Sequence, residues 1–277
     1  MAKLFLLTLT WNNAEKLLKL KESLMPSLSN IDYKWIIRDN DSKDNTEELV
    51  KSWDCNIEYI KHPNNLSNFS EGMNDCFSKT NANDDDLILL LNNDVVFNDK
   101  TSIKNMMNLI EKDNNIGVVG CRMYFTGTKA LQHAGVIFMP THRMPIHFRA
   151  GQGNDKFSDK DREFQAVTGA VLLTKAKYFK EVCKDNKSGL PGLDEKFNWA
   201  FDDVDLCLSI KYNMNKKIVY CANTNIFHEE SASLKKNPIN KLYLLHNVSL
   251  LKNKWGARYI DDAVDYHTNH LHKVYKK

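Results

Sequence analysis

Two acidic stretches are the parts of this chain best suited to chemistry: an apolar run that stops on a carboxylate, Leu87-Ile88-Leu89-Leu90-Leu91-Asn92-Asn93-Asp94, and a later run, Phe201-Asp202-Asp203-Val204-Asp205. The first reads as a buried strand that delivers Asp94 to its carboxyl end, where open α/β sheets bind ligands. A carboxylate in that position suits Mg²⁺ or Mn²⁺, ions usually held by one or two carboxylates together with substrate phosphates. Turning the chain after a buried strand would also call for Asn93 and Asp94. The second run places three acids in four positions, a costly arrangement unless a cation, a proton or a helix N-terminus relieves their repulsion. Helical spacing sets Asp202 and Asp205 on one face and points Asp203 elsewhere. One run can therefore supply a general base and an acid that holds the loop, although capping of a helix by Asp202 is part of its role in either case.

Weaker signals accompany these. Asp39 follows a second apolar strand in Asp39-Asn40-Asp41-Ser42, where a carboxylate could accept hydrogen bonds from a base or ribose, but the same tetrad is ordinary turn chemistry. Among nine histidines, His228 follows Ile226-Phe227 at an expected strand end and is the candidate to complete a metal site; His133 and His147 are weaker. Asp84-Asp85-Asp86 sits at the amino end of its strand and reads as solvated loop.

The elements that must position these groups follow from hydrophobic period. Leu4 to Thr10, Trp35 to Ile37, Ile57 to Ile60 and Leu87 to Leu91 are expected strands, with helices over Ala14 to Met25 and Ser70 to Thr80. Such alternation predicts an α/β fold with a mostly parallel central sheet flanked by helices. Further on, Gly117 to Gly120, Gly135 to Phe138, Val167 to Thr174 and Lys217 to Cys221 read as strands; Lys175 to Val182, Asp202 to Lys211 and an amphipathic Asn240 to Asn253 read as helices. No linker divides the chain, and the two halves are expected to share one sheet. The 277 residues are 42% hydrophobic and 26% charged, with a net charge of only +3, which argues against disorder and leaves nucleic-acid binding open. Six cysteines without CxxC spacing predict reduced thiols and a cytoplasmic setting. The opening Met1 to Leu7 reads as a first strand rather than a signal segment, and no run reaches transmembrane length.

Together these segments resemble the inverting, nucleotide-sugar-dependent glycosyltransferases of family 2, including rhamnosyltransferase-like members, which have the GT-A fold. The resemblance covers nearly the whole chain. It rests on Leu6 to Asn13, Asp39-Asn40-Asp41-Ser42-Lys43-Asp44-Asn45-Thr46, Asn65 with Ser70-Glu71-Gly72-Met73-Asn74, and Leu91-Asn92-Asn93-Asp94. The later blocks are Gln132-His133-Ala134-Gly135, Thr168-Gly169-Ala170, Leu193-Asp194-Glu195-Lys196-Phe197, Asp202 to Leu208 and His228-Glu229-Glu230-Ser231.

Position by position, the resemblance implies Asp203 as general base, Asp94 as metal ligand and His228 as a second ligand to metal or diphosphate. Thr10, Asn12, Asp39, Asn74 and Asn93 would face the donor, with Asp39 at the nucleobase. Asp202, Asp205, Trp199 and His133 would lie on the acceptor side. Two departures stand out: Asn92 replaces the first Asp of the family's fuller metal motif, and Asp202 replaces the usual Glu. The implied reaction is metal-assisted, with Mn²⁺ or Mg²⁺, and moves a hexosyl, pentosyl or rhamnosyl group from a UDP- or dTDP-linked donor. The expected acceptor is a bacterial-type surface glycan or a hydroxymethylated base in phage DNA, the latter drawing on Lys235-Lys236 and His267 to Lys277 for phosphate contacts. Residues 1–235 would form the GT-A domain, with a nucleotide-binding half over 1–120 and an acceptor half over 121–235, and 236–277 would be a helical extension. The competing readings are an inactive carbohydrate- or nucleotide-binding protein of the same fold and a nucleotidyltransferase, although Thr8 to Asn13 supplies no Gly-rich basic phosphate loop.

Overall fold

Alternate residues along the first strand face opposite ways: Leu4 and Leu6 enter one hydrophobic cluster and Phe5 and Leu7 another, so the sheet is covered on both sides. The computed structural model describes residues 2–65, 68–140, 144–197, 200–229 and 239–275. In chain order the elements are β1 (Leu4–Thr10), α1 (Ala14–Leu24), β2 (Tyr33–Asp39), α2 (Thr46–Lys51), β3 (Ile57–Lys61), α3 (Phe69–Ser78), β4 (Leu87–Leu91), β5 (Val95–Phe97), α4 (Ser102–Lys112) and β6 (Ile116–Phe125). Then follow β7 (Leu131–His133), β8 (Val136–Phe138), β9 (Pro145–His147), β10 (Arg162–Phe164), β11 (Val171–Lys175), α5 (Ala176–Glu181), α6 (Asp202–Asn213), β12 (Lys217–His228), α7 (Ile239–Trp255) and α8 (Ala263–Thr268).

The main sheet runs β10-β12-β6-β11-β4-β1-β2-β3, with β5 paired to β12 and β7 to β6. β1 to β4 pair in parallel, as expected for strand–helix alternation. Beyond β4 the pairing is mixed. β11 is antiparallel to both β4 and β6, whereas β12 is parallel to β6. One sheet thus joins the two halves of the chain, and parallel pairing dominates only in the first. α1 and α4 bury Leu17, Leu20, Ile103 and Met106 on one face, while α3, α5 and α6 bury Met73, Phe179 and Leu206 on the other. All five residues of β4 are buried, which explains why its sequence is apolar without alternation.

The C-terminal residues share this core. Leu251, Trp255, Tyr259, Ala263 and Tyr266 join the cluster that contains Phe5 and Leu7. The last turn lies along β10: Glu163 N–H donates to the Lys273 carbonyl, Tyr275 N–H to the Asp161 carbonyl, and Arg162 forms an antiparallel bridge with Val274. A sheet edge is thereby covered. This part of the expected phosphate-contacting tail is therefore packed against the protein, while Lys235-Lys236 lie outside the described residues. α7 departs from the amphipathic expectation, because Leu242 and Leu245 are exposed while Asn247, Leu251 and Trp255 make its buried stripe.

Asp84 and Asp85 form exposed ion pairs with Lys180 and Lys177, but Asp86 is buried and its carboxylate accepts the N–H groups of Lys3 and Asn83. That acid holds the amino ends of two neighbouring strands instead of facing solvent. All six cysteines are free thiols, and among the described residues no helix is long and apolar enough to cross a membrane.

Candidate active site

The carboxyl ends of β1, β2 and β4 bring three loops together. Thr10 ends β1 and its hydroxyl accepts a hydrogen bond from Asn93 Nδ2 at 3.3 Å, joining the β1 and β4 loops. Asn12 takes a left-handed backbone (φ 49°), a conformation Asn tolerates better than most residues. Its N–H donates to Ser42 Oγ at 2.8 Å, and its Oδ1 accepts the Lys43 N–H at 2.7 Å, which closes the β1 loop on the β2 loop. Asp39 is fully buried at the end of β2. Its Oδ1 accepts the Ser42 N–H (2.8 Å) and its Oδ2 accepts the Tyr59 hydroxyl (2.5 Å), so the carboxylate is oriented from both sides. Trp11, between Thr10 and Asn12, is 48% exposed. An indole left open at a strand end is a platform for a planar ring. Its signal in the sequence was only its place after the first strand.

Asp94 follows Asn92 and Asn93 in the short turn between β4 and β5. Its Oδ1 lies 3.2 Å from Nε2 of His228, the last residue of β12, and its carbonyl accepts the Glu229 N–H at 3.1 Å. His228 Nδ1 donates to Gln132 Oε1 at 2.7 Å, and Asn92 Nδ2 donates to Nε2 at 3.4 Å. This network orients the ring so that Nε2 faces the Asp94 carboxylate oxygen. A proton or a divalent cation between those two atoms relieves their repulsion, and a ligating histidine whose second nitrogen is held by a hydrogen-bond acceptor is the usual arrangement around a metal. The residues fit a divalent cation bound through two protein atoms. No cluster of three or more His, Cys, Asp or Glu side chains suited to a metal occurs among the described residues, so a cation held here would need water or donor oxygens as its other ligands. Gln132, which fixes the ring, was quoted in the sequence only as part of a motif.

The acidic run occupies the first turn of α6, entered through Phe201 in a left-handed conformation (φ 67°). Asp203 Oδ2 accepts the Gly169 N–H at 2.7 Å and Oδ1 accepts the Val204 N–H at 2.8 Å. The next residue, Ala170, accepts the Asn92 N–H through its carbonyl at 2.9 Å. Asp203 is thereby brought beside the end of β4 that carries Asp94. A Cβ at Gly169 would meet the Asp203 Cβ at 2.9 Å, so only glycine allows this approach.

Burial and the charge of Asp203 push the Asp202 carboxyl well above the usual range. Burial also raises Asp203, opposed by the Gly169 N–H, the charge of His147 and the Val204 N–H, all of which favour the anion. The N–H groups on Asp203 favour its anion, so of the two it is Asp202 that holds a proton more firmly.

The other expected residues fall differently. Asp205 is fully buried, with Oδ1 accepting Trp255 Nε1 (2.6 Å) and Oδ2 accepting Lys254 Nζ (2.9 Å). Asn74 is fully buried too: its Oδ1 accepts the Leu193 N–H, and its Nδ2 donates to the Leu193 carbonyl and to Glu195 Oε1. It pins the segment leading to α6 onto α3 rather than opening toward a donor. His133 is buried, and its Nε2 accepts the N–H groups of Gly135 (3.2 Å) and Thr168 (3.4 Å). Burial, then the nearby charges of His147 and His228, hold it well below the usual histidine value, which makes it a neutral support for the Thr168-Gly169 turn. Trp199 lies outside the described residues.

The sequence model of the family described as Glycosyl transferase family 2 matches residues 6–170, more than half of the chain. No curated protein matches it. Several solved structures share its fold. A fragment of S. aureus TarS, residues 1–349, superposes with a TM-score of 0.57 at 12% identity, covering 90% of this chain and 64% of that one. The mannosyltransferase PcManGT from Pyrobaculum calidifontis, in complex with GDP-Man and Mn²⁺, gives 0.63 at 8% identity, covering 96% and 69%. GalNAc-T7 with UDP, GalNAc and Mn²⁺ gives 0.63 at 10% identity, covering 98% and 55%. The chain thus spans less than two thirds of the TarS fragment and of GalNAc-T7.

Proposed function

The chain belongs to glycosyl transferase family 2 and has the GT-A fold, and from that premise we propose that it transfers a sugar from a nucleoside-diphosphate sugar to an acceptor hydroxyl with inversion at the anomeric carbon. The observation that carries the proposal is the facing of Asp94 Oδ1 and His228 Nε2 at 3.2 Å, one loop contact away from Asp203. Asp94 and His228 would hold Mn²⁺ or Mg²⁺, which would supply positive charge against the negative charge developing on the departing diphosphate. The Mn²⁺ present in PcManGT and GalNAc-T7 supports this choice of cation.

In this reading Trp11 stacks on the nucleobase, Asp39 offers its remaining lone pairs to base or ribose, and Thr10, Asn12 and Asn93 frame the ribose and diphosphate. Asp203 accepts the proton of the attacking hydroxyl as the new C–O bond forms, held in place by the N–H groups of Gly169 and Val204. The acid retained on Asp202 keeps a second negative charge away from the incoming nucleophile. No covalent nucleophile is required. The donor is UDP- or dTDP-linked, carrying a hexosyl, pentosyl or rhamnosyl group, and the acceptor is a glycan hydroxyl.

A screen of nucleoside-diphosphate sugars with Mn²⁺ or Mg²⁺, read by thermal shift and by mass spectrometry of slow donor hydrolysis, tests the proposal. One donor should stabilise the protein only with metal and release its nucleoside diphosphate. Silence across UDP-, dTDP- and GDP-sugars would favour a binding protein that has kept the fold without turnover.

A further inference from the structure

Lys254, near the end of α7, reaches two carboxylates at once: its Nζ lies 2.8 Å from Asp194 Oδ2 and 2.9 Å from Asp205 Oδ2. Asp205 is 0% exposed and Asp194 4%. These acids bracket the segment that carries the base, since Asp194 opens the approach to α6 and Asp205 lies two residues past Asp203. Other bonds tighten the same bracket. Trp255 Nε1 donates to Asp205 Oδ1 at 2.6 Å, Asn247 Nδ2 donates to the Ala200 carbonyl at 2.8 Å, and Leu193 is held on α3 by Asn74. Between the two ends, Phe201 adopts its left-handed backbone (φ 67°) and turns the chain into Asp202 and Asp203.

We propose that Lys254 is a positioning residue for the base, one ammonium that ties both ends of the 194–205 segment to α7 and thereby sets Asp203 against the Gly169 N–H. The inference deepens the transferase reading and rests on it for the role of Asp203. An ammonium with three donors can serve two carboxylates simultaneously, so one side chain closes a loop that would otherwise vary in its entry to α6. The same ammonium favours the charged form of Asp205, which burial pushes toward the acid. Without it, a third acid on the first turn of α6 would add its repulsion to Asp202 and Asp203 or take up a proton in their place. Lys254 remains a cation in this setting because Asp205 and Asp194 together outweigh the cost of its burial.

The test follows the amide of Gly169 by ¹⁵N-resolved NMR on the full chain at fixed pH, together with turnover of the donor identified by the screen. In Lys254→Met the Gly169 proton should leave its hydrogen-bonded position and lose about tenfold or more of its exchange protection. Donor turnover should fall by about tenfold or more while the donor dissociation constant stays within about twofold. Lys254→Arg, which can also span two carboxylates, should restore most of both. A role confined to stability would lower the melting temperature but leave the Gly169 signal and the turnover per folded molecule at wild-type values, and that result would overturn the proposal. If Lys254→Met does not fold, Asp194→Asn releases one arm at nearly constant volume and is read the same way. If wild-type protein turns over none of the donors, the transferase reading falls, whereas the Gly169 amide still decides whether Lys254 sets Asp203.

Discussion

At Asp203 two backbone N–H groups hold a carboxylate that would act on the acceptor and not on the donor. Asp203→Asn should therefore lower turnover by about 10²- to 10⁴-fold, the range for loss of a positioned base, with donor affinity nearly unchanged. Steady-state kinetics paired with calorimetric donor binding checks this, and wild-type-like turnover would move the base elsewhere. Gln132→Ala should weaken Mn²⁺ binding by about 10- to 100-fold, because Gln132 orients the His228 ring that faces Asp94; a Mn²⁺ titration equal to wild type would count against that ligand pair. Asp94 and Asp203 stood out in the sequence because each is an acid placed where an apolar strand gives way to a turn or where a helix begins. The support did not. Gly169 and Gln132 act through a backbone amide and an amide oxygen, and their partners lie 34 and 96 residues away.

Helix α6 gathers acids whose charge states are set by each other. Asp202 is held above the usual carboxylate range by burial and by Asp203, so the folded protein binds a proton there more tightly than the unfolded chain. Its contribution to stability is complete below the ordinary aspartate value and is lost as pH rises through the raised one. Asp202→Asn removes that dependence. Urea unfolding between pH 4 and pH 9 should show a flatter stability profile for the variant, with a gain at the alkaline end of about 1.4 kcal/mol for each pH unit by which the group is displaced. Parallel profiles for the two proteins would contradict the assignment.

Gly169→Ala probes the same element from outside. Its Cβ would press on the Asp203 Cβ, so activity should fall further than the melting temperature suggests. The neighbouring strand follows from its unbroken apolar run, Leu87–Leu91, whose bounds match the sequence expectation residue for residue. The left-handed entry at Phe201 does not follow, because nothing about a phenylalanine announces a positive φ.

The whole molecule is joined through its C-terminal residues. Leu251, Trp255, Tyr259 and Tyr266 fill the same core as β1 and β4, and each such side chain is worth about 1.5–3 kcal/mol when buried. Together they rival the net stability of an ordinary domain, about 5–15 kcal/mol. Truncation after residue 238 should therefore leave a chain without a cooperative unfolding transition, as followed by circular dichroism, whereas a cooperatively folding fragment would show that the extension is dispensable. The mixed pairing beyond β4 was hidden from the sequence for a related reason. Strand direction in that half is set by which partner lies alongside, as where β11 inserts antiparallel between β4 and β6, and short strands such as Leu131–His133 carry no period of their own.

If Asp94 and His228 hold a divalent cation against a nucleoside diphosphate, as proposed, then calorimetric titration of UDP, dTDP and GDP into wild-type protein with Mn²⁺ and with chelator, repeated for His228→Ala, reads it directly. Binding of one nucleotide that requires Mn²⁺ and weakens about tenfold or more in the variant is the expected result. Equal binding with Mn²⁺ and with chelator, unchanged in His228→Ala, would contradict it.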